Sequence, residues 1–261
     1  MAFRQWKIGL HIQQDGIFSV AIAAGRRGQT LRRWWHLPLP HGVIVQGRIK
    51  SPEQLLTVLR PWRHALPQRH CVRMAFPAGQ TLQRKLPRLA ISLRERELSG
   101  WVSHSVAREL EMVESDLCFD FTEDEPGNVY GVTAAQNKDV AALLSLGQSL
   151  SLNLSFITPD AAALQPLLLW LTPPVRCLAW RDERQWLWAT KESWGRRGLE
   201  EADSVAQLAT LLGLTTGEIA LCGEAEGEFD CWSVIPWRQP PLPKAGASYA
   251  VALGLALAGR C

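Results

Sequence analysis

No uninterrupted apolar run in this 261-residue chain approaches the ~20 residues that a helix needs to cross a bilayer. A membrane-spanning helix is therefore not expected. The opening Met1-Ala2-Phe3-Arg4-Gln5-Trp6-Lys7 lacks the apolar core of a signal peptide, so the expectation is a protein that stays in the cytosol. The six cysteines are Cys71, Cys118, Cys177, Cys222, Cys231 and Cys261, with no C-x-x-C pair and no histidine at ligand spacing. That supports neither a zinc site nor a disulfide framework, and reduced, mostly buried thiols are expected. A strong excess of one charge is also missing: the formal net charge of +3 is too small to mark a nucleic-acid binder.

What is present is the composition of an ordinary globular protein, 47% hydrophobic and 20% charged, long enough for one large domain or two smaller ones. Charge is spread unevenly. Arg63, Arg69, Arg73, Arg84, Lys85, Arg88 and Arg94 lie between residues 60 and 96 against a single acid, Glu95. The next stretch reverses sign with Glu109, Glu111, Glu114, Asp116, Asp120, Glu123, Asp124 and Glu125. Two solvated faces of one subdomain account for this. A basic face turned toward anionic lipid or nucleic acid is the alternative.

Lys7–Ile12, Ile17–Ala23 and Thr30–Leu37 read as consecutive strands, the first two joined by Gln13-Gln14-Asp15-Gly16. Ser51-Pro52-Glu53-Gln54 then predicts a helix start, with Pro52 at the first position and Ser51 and Gln54 as a capping box. Val72–Phe76 follows as a buried strand. Three strands, a helix and a strand make the opening unit of the ribonuclease-H-like fold. Leu82–Leu89 is a further strand, and Ser92 with Glu95 caps a helix whose apolar face is Leu98, Trp101, Val102, Val106 and Leu110. Asp116–Phe121, Val129–Ala134 and Leu152–Ile157 read as strands, the last two separated by a helix through Val140, Leu143 and Leu144. Thr158-Pro159 is expected to cap a short helix that Pro166 interrupts. In the second half Val175–Trp180, a polar turn and Gln185–Thr190 repeat the strand–turn–strand outline of the N-terminus. Ser204 with Gln207 caps another helix, Ile219–Cys222 is a strand, and Ser248–Leu257 closes the chain as an apolar helix containing Gly254.

Four segments stand out in order: Leu37-Pro38-Leu39-Pro40-His41-Gly42-Val43-Ile44-Val45-Gln46-Gly47-Arg48-Ile49 after the third strand, Met74-Ala75-Phe76-Pro77, Val132-Thr133-Ala134-Ala135-Gln136 and Leu253-Gly254-Leu255-Ala256-Leu257. In that order they resemble the PilM family, the cytoplasmic actin-like assembly proteins of type IV pili that are related in structure to the division protein FtsA. The resemblance implies an α/β, two-lobe actin-like ATPase fold with a degenerate nucleotide site and a reduced second lobe. Residues 1–80 with 158–174 would form the first subdomain, 81–157 an inserted one, and 175–261 a truncated second lobe. It also implies a partner, the cytoplasmic tail of a PilN-like single-pass inner-membrane protein docked in a groove beside the inserted subdomain. Other pilus-assembly components, a place at the inner face of the inner membrane and a role in DNA uptake are implied with it.

The departures from the family pattern matter as much. Its first phosphate turn reads Asp-Ile-Gly-Ser-Ser, where this chain has His11-Ile12-Gln13-Gln14-Asp15. Its second is Asp-x-Gly, where Ala179 takes the carboxylate position and Arg181 the glycine. Gly223 is the single glycine at the expected adenosine end, and Gly254 lies on the terminal helix. A magnesium-dependent ATPase needs carboxylates for the metal and donors for the phosphates. No catalytic residue, no metal and no bound cofactor are therefore expected, with weak nucleotide binding left open through Arg181. Twelve tryptophans, four of them at Trp180, Trp186, Trp188 and Trp194, leave a second reading. They stack nucleic-acid bases beside arginine, or they pack against one another across strands. The packing reading is preferred, and a direct nucleic-acid partner is not expected. A third reading draws His11, Asp15 and Asp182 together as an acid–base set, without supporting spacing.

Overall fold

Strands β1 (Trp6–Ile12) and β2 (Gly16–Gly25) pair antiparallel, from Lys7 opposite Ile22 to Ile12 opposite Ile17. The Gln13 N–H closes their turn by donating to the Gly16 carbonyl at 2.8 Å. In the computed structural model, which describes residues 5–25, 28–91, 93–124, 128–238, 240–243 and 246–259, β2 is buried from Gly16 to Ala23. A strand covered on both faces needs such a continuous apolar run. β3 (Gly28–Pro38) continues the antiparallel sheet, with an irregularity between Ala21 and Ile22. A small ladder of β4 (Ile44–Val45) and β5 (Arg48–Ile49) leads to α1 (Pro52–His64).

α1 starts with Pro52 in the first turn, but Ser51 makes no side-chain cap. The expected capping box is not formed, and burial of Leu55, Leu59 and Trp62 holds the helix instead. The Trp62 indole N–H donates to Ser19 Oγ at 3.2 Å in the interior. β6 (His70–Phe76) then returns parallel to β1, and β10 (Leu154–Pro159) lies parallel to β6. The resulting sheet has the order β10-β6-β1-β2-β3.

The second sheet repeats this plan. β11 (Cys177–Arg181) pairs antiparallel with β12 (Gln185–Ala189), β12 with β13 (Trp194–Gly198), and β11 parallel with β14 (Ile219–Leu221). β13 has no counterpart among the expected strands. α4 (Val205–Leu212) comes before β14 as α1 comes before β6, and Ser204 Oγ accepts from the Gln207 N–H at 3.4 Å as expected of its cap. Between the sheets run a 3₁₀ helix (Ala162–Trp170) and α5 (Ala250–Leu257), which is buried from Ala250 to Ala256. A helix apolar all round belongs in an interior. Two glycines let it approach backbone closely. A Cβ on Gly254 would sit 1.8 Å from the Ala163 carbonyl oxygen, and one on Gly9 1.8 Å from that of Ala252.

These elements form one compact unit, residues 1–79 and 146–261, and residues 80–145 form another. In the smaller unit β7 (Thr81–Pro87), β9 (Val129–Gln136) and β8 (Leu117–Asp124) make an antiparallel sheet in the order β7-β9-β8. α2 (Glu95–Glu109) packs Val102, Val106 and Ala107 into a core with Leu86, Leu117, Tyr130, Val132 and Ala134. Glu97 Oε2 accepts from the Arg94 N–H at 3.0 Å at the start of α2, while Ser92 lies outside the described residues. α3 (Asn137–Ser149) carries the chain back to the larger unit. The boundary expected at residue 157 falls inside β10, which is hydrogen-bonded into the five-stranded sheet.

Part of the charge reversal seen along the sequence is internal pairing. Arg84 meets Glu109 at 3.7 Å and Arg88 meets Glu123 at 3.0 Å, both exposed. Each such pair contributes up to about 1 kcal/mol, and together they neutralise bases otherwise available to an anionic surface. Cys118, Cys177, Cys222 and Cys231 are free thiols, whereas Cys71, expected to be reduced like them, is disulfide-bonded.

Candidate functional site

The two hairpin turns, β1–β2 and β11–β12, are where the family resemblance places the phosphates, and the fold brings them together. β1 carries His11 into the interior, where it is 4% exposed. Burial strips water from the imidazolium and lowers its pKa to about 3, so the ring is neutral at physiological pH. Gln13 Nε2 lies 3.2 Å from His11 Nδ1, and the ring meets Trp180 edge-on, centroids 5.9 Å apart. The Asp15 side chain is exposed at the turn, while its carbonyl accepts from the Leu39 N–H at 2.9 Å.

On the facing hairpin Ala179 is fully buried, and its carbonyl accepts from the Cys222 N–H at 2.7 Å. Arg181 lies over the Trp186 ring at 5.2 Å and donates to the Asp203 carbonyl at 3.4 Å. Asp182 Oδ1 accepts from the Arg184 and Gln185 N–H groups at 2.7 and 2.8 Å, closing its own turn. Arg184 then reaches across to Gln14, donating to its Oε1. A hydrogen bond between residues 170 apart in sequence ties the two turns together.

The other expected site residues are accounted for by packing. The Gly223 N–H donates to the Phe229 carbonyl at 3.2 Å, and a Cβ there would strike the Glu228 carboxylate at 1.8 Å. Gly254 is taken up by the Ala163 backbone. Among the described contacts neither reaches the two turns, and His11, Asp15 and Asp182 make none with one another. The tryptophan-rich segment packs inward, with Trp180 and Trp186 in the core and Trp188 and Trp194 half-buried against it. Trp180 and Trp186 are 3% and 1% exposed, and the Trp186 indole N–H donates to the Ala202 carbonyl at 2.7 Å. That leaves neither ring a face for a base to stack on.

One residue was not singled out from the sequence. Asp160, 4% exposed, follows β10 directly and accepts on Oδ1 from the Ala78 N–H at 2.9 Å and the Ala161 N–H at 2.7 Å. Burial raises its pKa to about 7. The two backbone donors and Arg196 oppose that rise, and Asp182 adds to it. An aspartate just before the apolar run Ala161-Ala162-Ala163-Leu164 is the pattern of a helix cap. The cap expected at Thr158-Pro159 is not formed: that pair ends β10, and Ala161 stands at the N-cap of the 3₁₀ helix with no side-chain cap bond.

Known proteins place the chain. No family model matches it. It is 49% identical over 257 residues to the DNA utilization protein HofM of Escherichia coli (strain K12), covering 98% of each chain. The chain belongs to the HofM family. Two solved structures share its fold. The PilM–PilN type IV pilus biogenesis complex has a TM-score of 0.67 at 17% identity, over 96% of this chain and 97% of that one. The cytoplasmic domain of EpsL, an inner membrane component of the type II secretion system of Vibrio cholerae, has a TM-score of 0.61 at 11% identity, over 97% and 95%. This HofM-family chain thus has the α/β fold of PilM and of the EpsL cytoplasmic domain, as its resemblance to PilM implied.

Within that fold the two turns offer little to a metal–phosphate ligand. Coordination of magnesium calls for carboxylates facing the ion, and phosphate binding for free donors. Position 11 supplies a neutral imidazole and position 179 a buried methyl group, and Arg184 is engaged by Gln14. Among the described residues no three His, Cys, Asp or Glu side chains gather as a metal-binding group. No described helix is long and apolar enough to cross a membrane.

Proposed function

We propose that this HofM-family chain is a non-catalytic cytoplasmic adaptor at the inner face of the inner membrane. In this reading it docks the cytoplasmic tail of a PilN-like single-pass partner within a pilus-like, DNA-uptake machine. The observation that supports the non-catalytic part is the lack of a carboxylate at both aspartate positions of the PilM pattern, where His11 and Ala179 stand instead and Gln14 accepts from Arg184 across the two turns. His11 is buried and neutral and Ala179 ends in a methyl group, so neither supplies the carboxylate oxygen that magnesium calls for. The adaptor part draws on likeness. The related HofM is named for DNA utilization, PilM has been solved in complex with PilN, and EpsL is an inner membrane component.

Two measurements test the reading. Calorimetric titration with a synthetic cytoplasmic tail of the partner should give saturable binding, and no heat at tens of micromolar overturns the adaptor. Mg·ATP should leave the melting temperature unchanged, since a ligand specific for the folded state must raise it. Phosphate release above background that disappears in Arg184→Ala would overturn the non-catalytic part.

A further inference from the structure

β3 is the outer strand of the five-stranded sheet. On its neighbour β2, Ala21 pairs with Arg33 and Ile22 with Leu31, so Arg32 stands opposite no residue. Such a bulge turns a side chain out of the strand's alternation, and two consecutive arginines are exposed here. Arg33 lies over the Trp35 ring at 5.3 Å, and neither arginine is ion-paired among the described residues. The flanking chain explains this, since no Asp or Glu occurs from Gly16 to Lys50 or from Cys231 to Gly259. The second of these stretches runs beside β3. The Leu31 N–H donates to the Trp237 carbonyl at 2.8 Å, Thr30 bridges to Trp237, and the Trp34 indole N–H donates to the Pro241 carbonyl at 3.2 Å. This loop shows Pro236, Trp237, Pro240 and Pro241 to solvent, with Trp237 47% exposed. The acids that precede it are engaged, Asp230 by the Trp232 N–H and Glu224 by the Gly246 N–H. An exposed indole in an apolar loop is thus held one and two positions along β3 from two cations.

We propose that this face, Arg32 and Arg33 with the Trp237 loop, rests on anionic lipid headgroups. It deepens the membrane-side part of the adaptor reading, on which it rests for its place, and does not depend on which tail is docked. An indole lodges at the headgroup level while guanidinium groups meet phosphate oxygens. Charge and shape decide between occupants. A second copy pairing edge to edge would bring the arginines of both copies onto one short ladder, and charges of this kind keep edge strands apart. A nucleic-acid strand stacks its bases on successive rings. Here the neighbouring rings are turned inward: Trp34 meets Tyr249 with centroids 5.8 Å apart, and Trp35 is 8% exposed. One exposed ring and two cations suit a lipid surface, where each arginine strengthens attachment about fivefold. Attachment of that size is weak alone and multiplies with that of a docked tail.

The test is co-sedimentation of the full chain at low salt with two kinds of vesicle, phosphatidylcholine alone and phosphatidylcholine with one third phosphatidylglycerol. Binding should require phosphatidylglycerol and weaken as salt is raised. Arg32→Gln combined with Arg33→Gln should lower the partition coefficient about twentyfold, whereas the two lysine substitutions should retain most of it. Trp237→Ser should lower it at every salt concentration. Should the double glutamine variant melt lower than the wild type, Arg32→Gln alone decides, with about a fivefold loss expected. No sedimentation with anionic vesicles, equal sedimentation with neutral ones, or no loss in the glutamine variants overturns the proposal. So does arginine-dependent binding to a single-stranded oligonucleotide that is tighter than binding to the vesicles, or a dimer that the glutamine variants disperse. The vesicles carry no partner, so failure here leaves tail docking standing, and failure of the tail titration leaves this face standing.

Discussion

Strands β6-β1-β2-β3 and β14-β11-β12-β13 follow one order with the same parallel and antiparallel pairings, yet they are filled differently. β2 and β3 are 10 and 11 residues long, where β12 and β13 have 5 each. β2 is filled with Ile, Val and Ala, whereas β11, β12 and β13 carry Trp180, Trp186, Trp188 and Trp194. Their turns differ most. Both close through backbone, but the first buries His11, while the second exposes Arg181 and adds the Asp182 carboxylate as an acceptor. A duplicated fold needs only the strand pattern repeated, so the turn residues are free to diverge until nothing of a symmetrical ligand site is left.

Placing bulk between the sheets should break the comparison most severely. Gly254→Val drives a side chain into the Ala163 backbone, and urea unfolding should show a loss on the order of 3 kcal/mol or more. The next largest effect is on pH dependence. His11, with its pKa lowered to about 3, makes the unfolded state the better proton binder below about pH 6.5, so its stabilisation is lost as pH falls. Asp160, raised to about 7, makes the folded state the better binder and costs stability as pH rises from 4 to 7. Between pH 4 and 6.5 the two slopes oppose each other in the wild type. His11→Leu should expose a stability that falls with pH, and Asp160→Asn one that rises, each by up to ~1.4 kcal/mol per pH unit. Equal slopes in the two variants would refute both assignments.

Smaller effects sharpen the contrast within each sheet. Trp186→Phe leaves the Ala202 carbonyl without its indole donor, and should cost about 1–3 kcal/mol by denaturant titration. The exposed Gln14–Arg184 pair should give a double-mutant coupling below about 1 kcal/mol. A coupling several times larger would mean that the two turns form a rigid unit rather than a bridged one.

The strand pattern was legible because alternation, apolar runs and turn residues act over a few positions. β1, β2, β3 and β6 follow from them, as does the repeated hairpin at β11 and β12. The Ser204 cap was legible for the same reason. β13 was not, because Trp194-Gly195-Arg196-Arg197-Gly198 has no strand signature and is held by its pairing with β12. Ser51 had every sign of a cap and makes no cap hydrogen bond, since packing of Trp62, Leu59 and Leu55 suffices for α1.

The site divides along the same line. From the chain alone came the absence of an acid at positions 11 and 179, a matter of residue identity. Folding settled what took the acid's place, through contacts whose partners lie far apart in sequence. Arg184 finds Gln14 across 170 residues, Asp160 finds Ala78 across 82, and Trp180 and Trp186 find a core rather than a surface. Such pairings follow from the register of two sheets on one buried helix, which no local pattern encodes.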